Sequence, residues 1–336
     1  MSMKTYTFRA LYLLLFFFSH FAVQAQQQQE IYNATLDDYA YRYPVSYFDI
    51  VQEGKKLRMA YMDVAPSNKV QNPQTVVLLH GKNFLGAYWS QTIRFLAGNG
   101  YRVVVPDQIG FGKSDKANVH YSFHQLAQKT RGLLESLKID KAVVVGHSMG
   151  GMLATRFALL YPEMTQKLVL ENPIGLEDYR LMVPYKNLDE LYQEELKRTG
   201  KGIRAYHQTY YTSWKPAYDE WVRIPAAQLG SADYPVVARV AAQTYAMIYE
   251  QPVVYEFSKL QVPALLVIGQ EDRTVVGKGY LKEEEKKQYG QYPQLGQQTA
   301  SAIPNAKLVE MPGVGHIPHL EATEQFHKTL LEFLKQ

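Results

Sequence analysis

The stretch at residues 142–151, AVVVGHSMGG, constrains this chain more than any other. Three consecutive valines suit a strand buried on both faces. The small and straight-chain residues at 149–160 (MGGMLATRFALL) favour a helix. Ser148 therefore falls at a strand-to-helix turn. Gly146, Ser148 and Gly150 fit the pattern G-x-S-x-G, whose glycines leave room for a cramped backbone that pushes a hydroxyl out beyond the end of the strand. Backbone N–H groups at the start of the next helix lack intrahelical partners and lie at the positive end of its dipole, so they stabilise negative charge developing nearby. Such a turn presents a nucleophile. The bare pattern also arises by chance, so its weight comes from the flanking elements and from what the rest of the chain supplies.

The first residues read as an export signal. Lys4 and Arg9 form a positive n-region, residues 10–18 an apolar run short for a bilayer, and Val23-Gln24-Ala25 a small-residue cleavage site. Residues 1–25 are thus expected to be removed, with the protein periplasmic or extracellular. The competing reading is an uncleaved membrane anchor that uses the whole apolar stretch. No second span follows in the sequence. Losing the segment removes two cations and no acid, so the formal charge falls from +4 to +2, too near neutral to point to nucleic acid. The chain has no cysteine and can form no disulfide. Residues 26–40, opening on four glutamines, are expected to be a flexible tail.

Residues 45–52 and 57–65 read as two strands joined at Glu53-Gly54, an antiparallel hairpin signal. Residues 75–79 (TVVLL) form an apolar strand running into His80-Gly81-Lys82-Asn83-Phe84. Gly81 permits close backbone approach there, and the N–H of Lys82 or Asn83 could join that of Met149 in holding an oxyanion. A helix at 87–97 leads to a strand at 102–105 and a loop, DQIGFGKSD, whose glycine spacing is wrong for a phosphate cradle. Asp107 and Asp115 in that loop read as turn-bonding residues. A helix at 122–137 precedes the serine strand.

Alternating strands and helices make a doubly wound, mostly parallel sheet the economical architecture. The ordered set HGKNF, DQIGFGKSD and GHSMGG also resembles the α/β-hydrolase superfamily, specifically its capped serine-hydrolase members. The resemblance runs from about residue 44 to the end, apart from the middle insertion, and is not specific for substrate. After a buried strand at 167–171 the alternation stops. Residues 173–258 are helical in periodicity and rich in tyrosine and tryptophan, too long for a structureless loop, and read as a helical cap inserted after the sixth strand. Residues 41–172 and 259–336 are then the core. In the family resembled, such a cap shapes the substrate pocket, and Tyr210, Tyr211 and Trp214 are the aromatics named here for substrate contact. Arg180, Lys186 and Arg204 could meet a substrate carboxylate, although solvated surface charge is the simpler reading.

The core resumes with a strand at 262–268 and Gly269-Gln270-Glu271-Asp272. Asp272 lies between the serine and any later histidine, giving the chain order Ser, Asp, His; Glu271 and Glu171 are the competing acids. A last strand at 306–311 leads to Gly313-Val314-Gly315-His316-Ile317-Pro318-His319 and a closing helix at 321–334. His316 resembles the superfamily's general base, with His319 as competitor. A His316/His319 metal pair is the third reading, disfavoured because no H-E-x-x-H and no cysteine ligand exist. The remaining histidines read as structural or exposed.

The expected chemistry is acyl transfer to water on a small apolar or aromatic substrate, an ester by preference, with no cofactor or metal. His316 would take the proton from Ser148, Asp272 would orient the imidazole, and N–H groups of Met149 and Lys82 or Asn83 would hold the oxyanion. A base works only as neutral imidazole, so activity should fall in acid. Carbon–carbon bond hydrolysis or perhydrolysis on the same triad are the alternatives within this class. A binding protein that keeps the fold without turnover is the alternative outside it. Oligomeric state is not legible in the sequence.

Overall fold

The computed structural model describes residues 30–68, 71 and 73–336; the expected signal segment lies outside the described residues. Eight strands, β1 (Val45–Gln52), β2 (Lys55–Val64), β3 (Thr75–Leu79), β4 (Arg102–Pro106), β5 (Ala142–His147), β6 (Thr165–Glu171), β7 (Ala264–Gly269) and β8 (Ala306–Met311), form one sheet in the order β1-β2-β4-β3-β5-β6-β7-β8. The β1–β2 and β2–β4 pairings are antiparallel and all others parallel. At the hairpin, Glu53 (φ 50) and Gly54 (φ 74) are both left-handed, as a two-residue turn matched to strand twist requires.

The valine runs are explained by two cores. Val77, Val144, Leu168, Leu170 and Leu266 face one, while Val76, Val143, Val145, Val169 and Leu265 face the other. Alternate residues of a strand point to opposite faces, so a strand covered on both sides must be apolar throughout. Helices α1 (Ser90–Gly98), α2 (Phe123–Ser136) and α3 (Met149–Leu160) supply this cover as the chain winds back and forth. Ile93 and Leu96 of α1 enter one core, and Leu126, Leu133 and Leu153 of α2 and α3 enter the other. The Ser122 hydroxyl accepts the Gln125 N–H at 3.1 Å and starts α2.

Between β6 and β7 come α4 (Leu188–Leu196), α5 (Gly200–Gln208), α6 (Asp219–Gln228) and α7 (Tyr234–Glu250), the helical insertion. After β7 follow α8 (Glu283–Gln288), α9 (Tyr292–Ala302), α10 (Pro318–Glu321) and α11 (Thr323–Leu334). The closing helix α11 starts two residues later than expected, because Ala322 (φ −129, ψ 50) leaves helical geometry and separates it from the single turn α10.

The expectation of a flexible tail over 26–40 is corrected from Ile31 onward. Tyr32, Leu36 and Tyr39 are buried. The Tyr32 N–H donates to the Ala227 carbonyl at 3.3 Å, and the Tyr39 hydroxyl donates to Glu220 at 2.6 Å, both on α6. Aromatic residues scattered in a polar stretch gave no period to read, yet they supply enough apolar area to pin it.

Candidate active site

Ser148 joins β5 to α3 at φ 57 and ψ −120, a left-handed backbone that a residue with a Cβ adopts only under constraint. The constraint is packing. A Cβ on Gly146 would lie 2.1 Å from the Gly150 carbonyl oxygen, and one on Gly150 would lie 2.2 Å from that of Leu79. Only glycine fits at either position, so the strand can turn straight into the helix. The loop after β3 lies against this turn, since a Cβ on Gly81 would be 3.2 Å from Ser148 Cβ. Among the described residues the backbone N–H groups of Lys82, Asn83 and Met149 make no hydrogen bond within the protein, and Ser148 Oγ makes none either.

Asp272 and His316, 44 residues apart, meet in the interior: His316 Nδ1 lies 2.6 Å from Asp272 Oδ2, and both side chains are almost wholly buried. Three further contacts hold the pair. Asn172 Nδ2 donates to Asp272 Oδ2 at 2.8 Å, the Thr274 N–H donates to Oδ1 at 2.8 Å, and the Tyr210 ring stacks on the imidazole at 4.8 Å. Burial alone would raise the Asp272 pKa; the charge and hydrogen bond of His316 and the donors on Thr274 and Asn172 outweigh it and hold the carboxyl below its ordinary value. The His316 N–H donates to the Tyr210 carbonyl at 2.7 Å, and a Cβ on Gly315 would sit 2.4 Å from that oxygen. Gly315 is therefore what lets the insertion touch the histidine loop.

His316 adjoins Ser148 through His147, whose ring is 4.9 Å from the His316 ring and whose Nε2 lies 2.9 Å from the His316 carbonyl. The other His147 nitrogen meets the Tyr88 hydroxyl at 3.0 Å. Burial, with smaller contributions from its neighbours, pushes the His147 pKa down to about 3, so it remains neutral. The competing residues are committed elsewhere. His319 Nδ1 is 3.0 Å from both oxygens of Glu171, and the His319 N–H donates to Glu171 at 2.6 Å. Asp107 accepts from the N–H groups of Gly86 and Lys113 and from the Tyr41 hydroxyl, and Asp115 accepts from the Arg58 N–H.

A cavity of about 340 Å³ opens over Ser148, lined by Lys82, Asn83, Ile174, Tyr206, Tyr210 and Tyr245 among others. Of the three aromatics named for substrate contact, Tyr210 lines it. Tyr211 and Trp214 do not: Tyr211 stacks on Tyr218 at 3.9 Å, and Trp214 Nε1 donates to Asp219. They complete the packing of the insertion instead. Arg180, Lys186 and Arg204 pair with Asp178, Glu194 and Asp219. The cation that does reach the cavity from the insertion is Arg198, paired with Glu195 at 3.1 Å, and sequence reading passed over it. It also passed over Asn172 and Thr274, because an amide after a strand and a threonine after an aspartate carry no local signal of a shared partner.

A serine at a glycine-confined strand–helix turn, beside a carboxylate–imidazole pair and under a helical insertion, defines an α/β-hydrolase arrangement. Residues 74–323 match the family model described as alpha/beta hydrolase fold, and the chain belongs to that family. It is similar to a probable hydrolytic enzyme from Pseudomonas aeruginosa PAO1, with 48% identity and a TM-score of 0.88 over 91% of this chain and 98% of that one. It is also 29% identical to a 2-hydroxy-6-oxononadienedioate/2-hydroxy-6-oxononatrienedioate hydrolase of Burkholderia vietnamiensis, over 86% of this chain and 95% of the relative. A 2-hydroxy-6-oxo-6-phenylhexa-2,4-dienoate hydrolase of Burkholderia cepacia is 28% identical over 80% of this chain and 90% of its own length.

Proposed function

We propose that this chain is an exported serine hydrolase that splits a carbon–carbon bond beside a ketone in a small substrate. The observation that carries the reading is its match, over most of its length, to hydrolases named for 2-hydroxy-6-oxo-dienoates. Such molecules hold a ketone and no ester, so water can divide them only by breaking a carbon–carbon bond. Ester hydrolysis, the reading preferred from sequence alone, takes second place because those relatives point elsewhere.

Ser148, Asp272 and His316 would carry the reaction. Substrate in the cavity brings Ser148 Oγ and His316 Nε2 into hydrogen bonding, a contact that commonly tightens only on binding. His316 removes the Ser148 proton as Oγ attacks the ketone, and the N–H of Met149 with that of Lys82 or Asn83 holds the oxyanion. For such a substrate the dienol must first become its 2-keto tautomer, losing the 2-hydroxyl proton and gaining one at C5. Collapse then breaks the C5–C6 bond and leaves the pair on C5 delocalised through the C3–C4 double bond onto the 2-keto oxygen, and His316 returns its proton to that dienolate. Water then repeats the cycle on the acyl-enzyme. Asp272 keeps the proton on His316 Nδ1, which leaves Nε2 as the base.

The test is a panel on purified protein: 2-hydroxy-6-oxo-dienoates and β-diketones beside p-nitrophenyl esters of graded acyl length. Ketone cleavage should exceed ester turnover, and Ser148→Ala should abolish both. Turnover of esters alone would restore the ester reading and leave the three residues in place. For export, the intact mass of protein recovered outside the cytoplasm should begin after Ala25; full-length protein confined to the cytoplasm would remove that part.

A further inference from the structure

Beneath the reaction centre, one line of side-chain hydrogen bonds joins the loop after β3 to the histidine loop. Tyr88 lies on a short 3-10 helix (Gly86–Trp89), and its hydroxyl is 3.0 Å from the Gly81 nitrogen and 3.0 Å from His147 Nδ1. His147 Nε2 is 2.9 Å from the His316 carbonyl. Gly81, Tyr88, His147 and His316 are all buried, where a partner left unmet costs its full desolvation. The protons along this line have one arrangement. A carbonyl only accepts, so His147 Nε2 carries the ring proton. Burial leads in pushing the pKa of that ring down to about 3, so the ring is neutral and its bare Nδ1 accepts the Tyr88 O–H. The hydroxyl oxygen is then left to accept the Gly81 N–H. Gly81 precedes Lys82 and Asn83, His147 precedes Ser148, and His316 is the base, so each end of the line and its middle adjoin a working part. Among the described residues no backbone hydrogen bond joins residues 80–84 to residues 314–317. The other tie between the two loops, from Asn83 through the Tyr210 hydroxyl, runs through the insertion.

We infer that Tyr88 and His147 are positioning residues, which set the oxyanion loop and the general base in register about Ser148. Neither lines the cavity over Ser148, so they act on the reaction through Gly81 and His316 alone. The fit between loop and ring is close: a Cβ on Gly81 would lie 3.1 Å from His147 Nδ1. A misplacement of about 1 Å between donor and base costs about 10²-fold in rate, and a tie of three short hydrogen bonds prevents it. This inference rests on the reading of Ser148 as nucleophile, and its test separates the two.

Tyr88→Phe removes one oxygen and cuts the tie at its centre. On whichever ketone or ester the native chain turns over, kcat should fall about 10- to 100-fold with KM within about twofold. Phenylboronic acid, whose tetrahedral adduct on the serine places an oxygen in the oxyanion hole, should bind this variant about tenfold or more weakly, and benzamide, a neutral ligand of similar shape, within about twofold. An unchanged kcat, or equal weakening of both ligands, would overturn the positioning role. His147→Leu should lose as much as Tyr88→Phe, and His147→Gln, whose amide still reaches the His316 carbonyl as a donor, should recover most of that loss. Adding Tyr88→Phe to His147→Leu should cost less than about twofold more, because the tie is already cut; losses that multiplied would make the two side chains independent packing and overturn the role. Should the variants not fold, nitrogen NMR of the native chain at neutral pH decides the tie: His147 should show a protonated Nε2 and a bare Nδ1, and the opposite tautomer would overturn it. A native chain that takes no boronate and turns nothing over would remove the nucleophile, and the positioning role with it. A native chain that does both, beside folded variants that match it, would remove the positioning role alone.

Discussion

The interior holds two carboxylate–imidazole pairs of nearly the same construction, Asp272–His316 and Glu171–His319, and they differ in what lies around them. In each, Nδ1 of a buried histidine meets a buried carboxylate, at 2.6 Å in the first and 3.0 Å in the second. Asp272 also accepts from Asn172 and the Thr274 N–H, whereas among the described residues Glu171 gains only the His319 N–H. The charge and hydrogen bond of His316 do most against burial at Asp272, and the donors on Thr274 and Asn172 add to them. Asp272 is held below its ordinary pKa, while Glu171 is pushed up to about 7, by burial first, against the opposing influence of His147 and the His319 N–H. His319 is pushed well below its ordinary value by burial and by His316, so below about pH 7 the second pair is uncharged, with the carboxyl protonated and the imidazole neutral. The far nitrogens differ as well. Among the described residues His319 Nε2 is sealed without a partner, under a Trp89 ring stacked 4.0 Å away; His316 Nε2 also makes no hydrogen bond but is not sealed in this way. A dyad of this kind can pass a proton to a substrate only if its outer nitrogen reaches a cavity.

The sharpest way to break the comparison is to remove each imidazole. His316→Gln should lower kcat by about 10⁴ or more, as loss of a general base does. His319→Gln should lower it less than about tenfold and act on melting temperature instead; equal losses of kcat would mean that both pairs serve the reaction. Next come the carboxylates. Asp272→Asn should lower kcat by about 10³–10⁴ through the wrong imidazole tautomer, and Glu171→Gln, whose amide oxygen still accepts the His319 N–H, by less than about tenfold.

Stability against pH distinguishes the pairs with a smaller signal of opposite sign. A carboxyl whose folded pKa is raised stabilises fully below its unfolded value and loses that contribution as pH rises through the folded one. The melting-temperature advantage of the native chain over Glu171→Gln should therefore shrink as pH climbs from about 4.5 to about 7. The contribution of Asp272, whose folded pKa is lowered, is present above 3.8 and should be lost only as pH falls through its folded value. Thermal melts that moved together across pH 5–7.5 would remove the distinction. The least effect belongs to the aromatics: Tyr210→Phe, losing the Asn83 bond at 2.7 Å beside His316, should cost about three- to tenfold in kcat/KM, and Trp214→Ala should leave it unchanged.

Periodicity and turn chemistry carried the architecture well. The valine runs, the Glu53-Gly54 hairpin and the glycines around Ser148 each state a local requirement that a single stretch of chain can meet. The segment from Ile31 to residue 40 was misread because its anchors, Tyr32, Leu36 and Tyr39, bury themselves against an insertion nearly two hundred residues away. Trp214 and Tyr211 were misassigned for a related reason: an aromatic looks the same in sequence whether its ring faces a cavity or another ring.

By itself the sequence determined the order of strands and helices, the strained turn at residue 148 and the residue types available for chemistry, since these depend on neighbours a few positions apart. Only the tertiary structure decided that His316 rather than His319 shares Asp272, that Asn172 and Thr274 hold that carboxylate, and that Lys82 and Arg198 border the same space. The two histidines sit three residues apart in one loop, and what separates them is which strand end each one meets when β6 and β7 are laid side by side. Partnership across the ends of adjacent strands is set by sheet register and packing, and no local run of residues encodes it.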